Sequence, residues 1–268
     1  MRKRLAFILV GIICTYLVPE TIVGQTKQTL RQISVCSNCP GFVETLPATY
    51  GTATTKQFPL MIFLAGEGQL GKGGSQLNIM LGNGPPQLVA SGQWPDSFVV
   101  NKRSFSFIII SPQFKAWPTD SDVDSVLKYA LAHYRVDTGR VYMTGLSMGG
   151  GATWSYASSA PHAGMLAAII PISGGTMWSG RAGAMAISQN NLAVFAATNR
   201  NDPEVNDTTT LQDIALINSI VPQCNPMALD TVYPASGHDA WTKTCPGRCR
   251  FAYWMYKGER CETGSFRN

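Results

Sequence analysis

The stretch that decides the fold is VYMTGLSMGGG, residues 141–151. An apolar run typical of a strand leads into Gly145-Leu-Ser147-Met-Gly149, and a helical pattern begins at Met148. Such a tight turn holds its serine in a strained conformation, and glycine is needed two positions before and after it because a side chain there would collide with its neighbours. The pattern predicts that Ser147 is a nucleophile and that the helix N-terminus behind it stabilises an oxyanion. The alternative is a glycine-rich turn with an incidental serine.

On both sides of this turn, strand and helix patterns alternate along the chain. FSFIIIS at Phe105–Ser111 is typical of a strand buried on both faces. Apolar residues at helical spacing run from Val123 to Tyr134, and Thr119 with Asp122 resembles a capping box. Further strands are predicted at Gly41–Leu46, Leu60–Leu64, Arg140–Thr144, Leu166–Ile172, Leu192–Thr198 and Thr231–Tyr233, and further helices at 148–159 and 208–220. This order predicts an α/β fold with a mostly parallel central sheet and helices on both faces.

A serine nucleophile needs a base, and the chain has three histidines. His133 precedes the strand that leads to Ser147, and His162 follows the helix that departs from it. Both are therefore expected at the opposite end of these elements from the serine. His238 follows the last predicted strand, so it lies on the same edge as Ser147 and is the predicted base.

The acid that orients the base is expected at the same edge of the sheet. Asp202 lies just beyond the strand Leu192–Thr198, where ligands bind in open α/β sheets, and Glu204 is the reserve candidate. The order Ser147…Asp202…His238 is that of α/β-hydrolases. Four other acids are assigned to element starts or to capping: Asp207, Asp213, Asp230 and Asp239.

A second oxyanion donor is expected in the loop after the strand Leu60–Leu64, where the chain reads LAGEG. The backbone N–H of Glu67 would act there together with the backbone N–H of Met148. A phosphate-cradling loop is the alternative, but Gly66–Gly74 lacks the Gly-Lys-Ser/Thr ending of a P-loop. Neither a metal nor a cofactor is expected for this chemistry.

Several blocks of the sequence resemble the predicted-esterase branch of the α/β-hydrolase superfamily, near polyhydroxybutyrate depolymerases and feruloyl esterases. The resemblance spans about residues 41–257 and rests on PLMIFLAGEG, NGPPQLV, IIISPQF, GLSMGGGATW, NDPEV and SGHDAWTKT. It implies that Ser147, Asp202 and His238 are nucleophile, acid and base. It also implies a carboxylic-ester hydrolase that works through an acyl-enzyme intermediate on a small-molecule or polymeric ester.

The chain departs from the pattern of that family at three positions. Ala65-Gly66 stands where the family usually has His-Gly, and Glu67 stands where it has a small residue. A carboxylate at that place repels a developing oxyanion unless it turns to solvent. Thr198 occupies the place of a family histidine. The changes at Ala65 and Glu67 leave open a non-catalytic binding protein on a hydrolase scaffold. A serine peptidase of the same fold is the other alternative, because the triad serves amides as well as esters.

The composition and the N-terminal residues limit the class to which this protein can belong. A chain of 268 residues with 45% hydrophobic and only 14% charged residues is not intrinsically disordered. The basic start MRKR is followed by an apolar run over residues 5–18, which predicts a secretory signal over residues 1–24 and a single α/β-hydrolase domain over 25–268. An uncleaved anchor is the alternative. We expect a secreted or periplasmic protein with no nucleic-acid partner and no stable membrane association after cleavage.

Seven cysteines are many for a cytosolic protein, and Cys14 belongs to the predicted signal. The other six predict disulfides of undetermined pairing. A metal site or a redox pair on Cys36-Ser-Asn-Cys39 is the alternative. Three tryptophans, Trp117, Trp178 and Trp241, are candidates for lining a substrate pocket.

Overall fold

A computed structural model describes residues 26–100, 102–175 and 180–244. The predicted signal at residues 1–24 lies outside these ranges, so the domain boundaries remain a prediction. Four other residues named above also lie outside the described part: Trp178, Cys245, Cys249 and Cys261.

The described chain forms ten strands. They are β1 (Lys27–Arg31), β2 (Gly41–Leu46), β3 (Phe58–Leu64), β4 (Phe98–Val100), β5 (Arg103–Phe105), β6 (Ile108–Gln113), β7 (Val136–Leu146), β8 (Ala168–Ile172), β9 (Ala193–Asn199) and β10 (Leu229–Tyr233). Eight of them make one sheet in the order β1-β2-β6-β3-β7-β8-β9-β10, and β4 pairs with β5 in a separate hairpin. The pairs from β6 to β10 are parallel, whereas β2 is antiparallel to both β1 and β6. The mostly parallel sheet predicted from the sequence is confirmed.

The helices lie between these strands. They are α1 (Gly84–Ala90), α2 (Asp120–His133), α3 (Met148–Ala157), α4 (Ala160–Ala163), α5 (Arg181–Gln189), α6 (Asp207–Asn218) and α7 (Trp241–Thr244), with 3₁₀ segments at Glu67–Gln69 and Gly74–Gly82. The capping box predicted at the start of α2 is present. The Thr119 hydroxyl accepts a hydrogen bond from the Asp122 N–H, and the Asp122 carboxylate accepts one from the Thr119 N–H.

Both faces of the central sheet are buried, because successive strand residues enter two different apolar clusters. In β3, Leu60 and Ile62 join the cluster formed with α2, α3, α5 and α6. Met61 and Phe63 join the other cluster, together with Leu77 and Met80 of the 3₁₀ segment and with side chains from the β4–β5 region. This burial explains why the central strands are apolar without alternation. On the second face, Trp241 of α7 packs against the same cluster as the 3₁₀ segment.

The cysteines of the described chain differ from the prediction of disulfides. Cys36, Cys39 and Cys224 are free thiols, so no disulfide joins any of these three. Cys36 and Cys39 face each other across an isolated antiparallel bridge. Burial raises the pKa of the Cys39 thiol to about 12 and that of the Cys224 thiol to about 11. The prediction that six cysteines form disulfides therefore finds no support in the described residues.

Candidate active site

The turn that carries Ser147 joins β7 to α3 in the way the sequence predicts. Ser147 has a φ of 52° and a ψ of −121°, a conformation that is strained for a residue with a side chain. A Cβ at Gly145 would overlap the Gly149 carbonyl, and a Cβ at Gly149 would overlap the Leu64 carbonyl of β3. The two glycines are therefore required by close contact with backbone, which is how a serine is presented at the tip of a strand.

The structure brings together Ser147, His238 and Asp202, which lie far apart in the sequence. His238 Nε2 lies 2.7 Å from Ser147 Oγ, and His238 Nδ1 lies 2.9 and 3.0 Å from the two carboxylate oxygens of Asp202. A carboxylate only accepts hydrogen bonds, so Nδ1 donates to Asp202; in the tautomer whose only ring proton is on Nδ1, Nε2 accepts a hydrogen bond from the serine hydroxyl. The three groups form one continuous chain of hydrogen bonds with the polarity that general-base chemistry requires.

Asp202, at the end of this series of hydrogen bonds, is buried and held in place by further hydrogen bonds. The side chain of Asp202 is 0% exposed, whereas that of His238 is 21% exposed. Its Oδ1 also accepts hydrogen bonds from the backbone N–H groups of Glu204 and Val205, at 2.9 and 3.1 Å. Glu204, the reserve candidate, thus contributes its backbone to Asp202, and Asp202 is the acid that reaches the imidazole.

The topology explains why these three side chains meet. Ser147 follows β7, Asp202 follows β9 and His238 follows β10. These strands are parallel, so their carboxyl ends share one edge of the sheet, where ligands bind in open α/β folds.

A cavity of about 440 Å³ opens in front of the serine. Met148 and Glu67, whose backbone N–H groups are the predicted oxyanion donors, both line it beside Ser147. Met148 is the first residue of α3, where N–H groups have no partner inside the helix. Trp117, a residue that is 47% exposed, also lines the cavity, as expected for one of the three candidate tryptophans.

The two other histidines and Trp241 pack against aromatic rings. His133 stacks on Tyr129 at 4.0 Å, and His162 stacks on Tyr156 at 4.1 Å. Trp241 packs edge-on against the His238 ring, with 5.3 Å between the ring centroids.

Asp239 accepts a hydrogen bond from the Thr242 N–H in α7, as its predicted capping role requires.

Two buried residues beside the site were not singled out by the sequence. Ser173 directly follows β8 and Asn199 is the last residue of β9, and each donates a hydrogen bond to the loop that carries His238. Their position at carboxyl ends of apolar strands was the available signal, because polar side chains at that edge surround the site in this class of fold.

No group of three or more histidine, cysteine or acidic side chains in the described residues has the arrangement of a metal site. None of the described helices combines the length and the hydrophobicity that crossing a membrane requires.

Comparisons with known proteins find likeness in structure and not in sequence. No protein-family model matches the chain, and no curated protein matches it. A variant of the feruloyl esterase module from Clostridium thermocellum, complexed with sinapinate, is 15% identical with a TM-score of 0.56, and the match covers 100% of this chain and 99% of that one. A thermostable esterase is 19% identical with a TM-score of 0.52; the match covers 90% of this chain but only 62% of that protein.

A peptidase is also among the similar structures. The acylaminoacyl peptidase from Pyrococcus horikoshii is 10% identical with a TM-score of 0.53, over 90% of this chain and 43% of that one. At such low identity the likeness establishes the fold alone. Together with the strand order and the strand–serine–helix turn, it shows that this chain has the α/β-hydrolase fold, as its resemblance to esterases implied.

Proposed function

We propose that this protein is a secreted serine hydrolase that cleaves carboxylic esters through an acyl-enzyme intermediate. The observation that carries the proposal is the hydrogen-bonded chain from Ser147 through His238 to Asp202, with all three side chains at one edge of the sheet and the serine facing a cavity. A strained serine, an imidazole and a buried carboxylate in this order are the parts of a nucleophilic triad.

In the proposed reaction, His238 Nε2 takes the proton of Ser147 Oγ while that oxygen attacks the ester carbonyl carbon. Asp202 keeps the imidazole oriented and stabilises the imidazolium that forms. The imidazolium then gives its proton to the departing alkoxide, which leaves as the alcohol. Water, deprotonated by the same imidazole, attacks the acyl carbon of the acyl-serine. The acid is released as Ser147 Oγ leaves and takes the proton back from the imidazolium.

The negative charge that develops on the carbonyl oxygen requires donors, and we assign them to the backbone N–H groups of Met148 and Glu67. Their support is the shared cavity with Ser147 and the position of Met148 at the first turn of α3. Because both donors are main-chain groups, the side-chain change to Glu67 leaves them in place.

The charge of the cavity wall favours neutral esters over anionic ones. Glu67 and Glu204 line the cavity, and the described lining includes no lysine or arginine. Two carboxylates near the reacting carbonyl repel an anionic acyl or alcohol group. Trp117 offers an aromatic surface for an apolar or aromatic part of the substrate.

Secretion rests on the sequence alone. The basic start and the apolar run over residues 5–18 support a signal over residues 1–24. N-terminal sequencing of the protein exported by its natural host would test cleavage after Gly24.

The experiment that tests the activity compares the wild type with Ser147→Ala on short p-nitrophenyl esters, acetyl-sugar, feruloyl and polyester substrates, and matched anilides. We expect ester turnover to fall by on the order of 10³–10⁶-fold in Ser147→Ala, with folding unchanged. Ser219→Ala, which removes a hydroxyl on the surface of the α6 C-terminus, is the matched control.

Two outcomes would decide against the proposal. Equal ester hydrolysis by wild type and Ser147→Ala would remove the serine from the chemistry. Failure of a fluorophosphonate to label the wild type would favour a non-catalytic scaffold, and faster cleavage of anilides than of esters would favour a peptidase.

A further inference from the structure

The loop that carries His238 is held by two buried side chains that take no part in the proposed proton transfer. The Ser173 hydroxyl donates to the His238 carbonyl at 2.8 Å, and the Asn199 Nδ2 donates to the Gly237 carbonyl at 2.8 Å. Both donors are 1% exposed. Two consecutive carbonyls of the loop are thus each bound from the end of a different strand of the sheet.

Ser173 also stands next to the contact that fixes the nucleophile. The carbonyl of Ile172, the last residue of β8, accepts the backbone N–H of Ser147 at 2.9 Å. The next residue, Ser173, holds the backbone of His238. Two adjacent residues of one strand end therefore bind the main chain of both partners in the 2.7 Å contact between Ser147 and His238.

The conformation of Ser173 is a second sign of a positional role. Its φ is 44°, a left-handed value that is strained for a residue with a side chain. Glycine would adopt this backbone without strain. Compared with glycine, serine adds a hydroxyl, and this hydroxyl donates to the His238 carbonyl in the loop that carries the base.

The amide of Asn199 is oriented for its donor role. Lys243 Nζ lies 3.5 Å from Asn199 Oδ1, which directs the Nδ2 group to the Gly237 carbonyl. Gly237 itself has a φ of 95°, so the loop turns sharply just before His238.

We propose that Ser173 and Asn199 are positioning residues that set the distance between His238 and Ser147 by fixing the backbone of the base loop. The inference rests on the proposed function for its kinetic readout. A displacement of the imidazole by about 1 Å costs on the order of 10²-fold in rate, so loss of either donor should lower kcat without weakening substrate binding.

The test compares Ser173→Gly and Asn199→Ala with the wild type in kcat, KM, fluorophosphonate labelling rate and melting temperature. Ser173→Gly is the decisive variant, because it removes the hydroxyl but relieves the backbone strain. We expect its kcat and labelling rate to fall by on the order of 10²-fold, with KM within roughly threefold of the wild type and no loss of melting temperature.

Ser188→Ala is the matched control. Ser188 is 2% exposed and its hydroxyl donates to the Pro222 carbonyl at 2.9 Å, the same kind of buried bond between a serine and a loop. It lies near the end of α5, just before β9 begins, and so at the opposite edge of the sheet from the site. We expect Ser188→Ala to keep the wild-type kcat.

A proton NMR measurement separates this inference from the proposed function, because it needs no turnover. The Nδ1–H of His238, bonded to Asp202, should give a downfield resonance in the wild type and Ser188→Ala, identified by its loss in His238→Gln. We expect that resonance to shift or to be lost by solvent exchange in Ser173→Gly. An unchanged resonance in Ser173→Gly, an unchanged kcat, or an equal fall of kcat in Ser188→Ala would overturn the inference. An inactive wild type whose resonance still depends on Ser173 would contradict the proposed function and support the inference.

Discussion

His238 Nε2 lies 2.7 Å from Ser147 Oγ although 91 residues separate them in the chain. That contact depends on the parallel order of β7, β8, β9 and β10, which places the two loops at the same edge. It also depends on the buried Asp202 carboxylate, which binds His238 Nδ1, the other nitrogen of the imidazole.

Replacing the acid tests that dependence. Asp202→Asn keeps the shape of the side chain but turns an acceptor pair into one acceptor and one donor, which favours the wrong tautomer of His238. We expect kcat to fall by about 10⁴-fold with little change in fold, measured as initial rates on a short ester. Asp207→Asn, at the start of α6, is the matched control and should keep the wild-type rate. Equal rates in wild type and Asp202→Asn would assign the acid to another residue.

The glycine behind the serine is predicted to be essential for stability. In Gly149→Ala, the new methyl group meets the Leu64 carbonyl of β3, which is backbone that cannot rotate away. We expect a loss of about 3 kcal/mol or more in the free energy of unfolding, at or above the usual range for overpacking. Gly51→Ala has open space around the new Cβ and should leave the denaturant midpoint unchanged. A Gly149→Ala variant as stable as Gly51→Ala would show that the turn is looser than described.

The cavity wall at Trp117 is predicted to depend on Asn38. Asn38 Oδ1 accepts the N–H groups of Lys115 and Ala116 at 3.1 and 3.0 Å, and its backbone carbonyl accepts the Lys115 N–H at 2.9 Å. Asn38→Ala removes the side-chain bonds and loosens the segment that leads to Trp117.

Ordering that segment again for binding, at a cost of ~1 kcal/mol for each of the two lost bonds, should raise KM for an aromatic ester about thirtyfold while kcat stays near the wild-type value. Asn78→Ala removes an exposed asparagine whose bond is local, to the Ser75 carbonyl, and serves as control. A fall in kcat without a change in KM would contradict the prediction.

The capping box of α2 predicts a dependence of stability on pH. Burial alone would raise the pKa of the Asp122 carboxyl, but hydrogen bonds from Thr119 and Asn38 outweigh burial and leave that pKa below its ordinary value. A lowered pKa in the folded state means that the ionised form contributes stability above the ordinary pKa, and that this contribution is lost as the pH falls below about 4.

We therefore expect Asp122→Asn to be less stable than the wild type at pH 7, with the difference shrinking as the pH falls from about 4 towards the folded-state pKa. Urea unfolding at a series of pH values measures it. A stability difference between wild type and Asp122→Asn that grows as the pH falls would contradict the prediction.

The buried thiols are predicted to react slowly. Thiolate is the reactive form, and with a pKa of about 12 Cys39 is almost wholly protonated at pH 8. In the reduced, folded protein, iodoacetamide should label Cys36 before Cys39 and Cys224, since Cys36 is only partly buried. In urea all three should react alike, as peptide mass spectrometry would show. Faster labelling of Cys39 in the folded state would contradict its burial.

The central elements of the fold were predictable because their signals are local. Phe105–Ser111 predicts the strand observed as β6, and the spacing from Val123 to Tyr134 predicts α2, because burial on two faces and on one face leave different periodicities. β1 and α5 were not predicted. β1 is a partly exposed edge strand, and α5, with the sequence RAGAMAISQ, is short and consists largely of glycine, alanine and serine, residues that are also common in loops.

For the candidate site, the strand–serine–helix motif identified Ser147, and the predicted topology placed Asp202 and His238 at the same edge. The structure brings the three within hydrogen-bond distance. Their chemical roles stay predictions until they are measured. The position of Ser173 and Asn199 at the carboxyl ends of apolar strands placed them near the site. Their contacts could not be predicted, because they are to backbone carbonyls far along the chain and leave no pattern in residue types.

The left-handed Ser173 gives the site a property that extends to folding. The nucleophile turn and the base loop are joined through the end of β8, so we expect each to take its final place only once β8 has docked between β7 and β9. A partly folded chain, with its early strands formed and β8 still loose, would have a serine without a base. The rate at which Ser147 becomes reactive to a covalent label during refolding would then measure how fast the last central strands join the sheet.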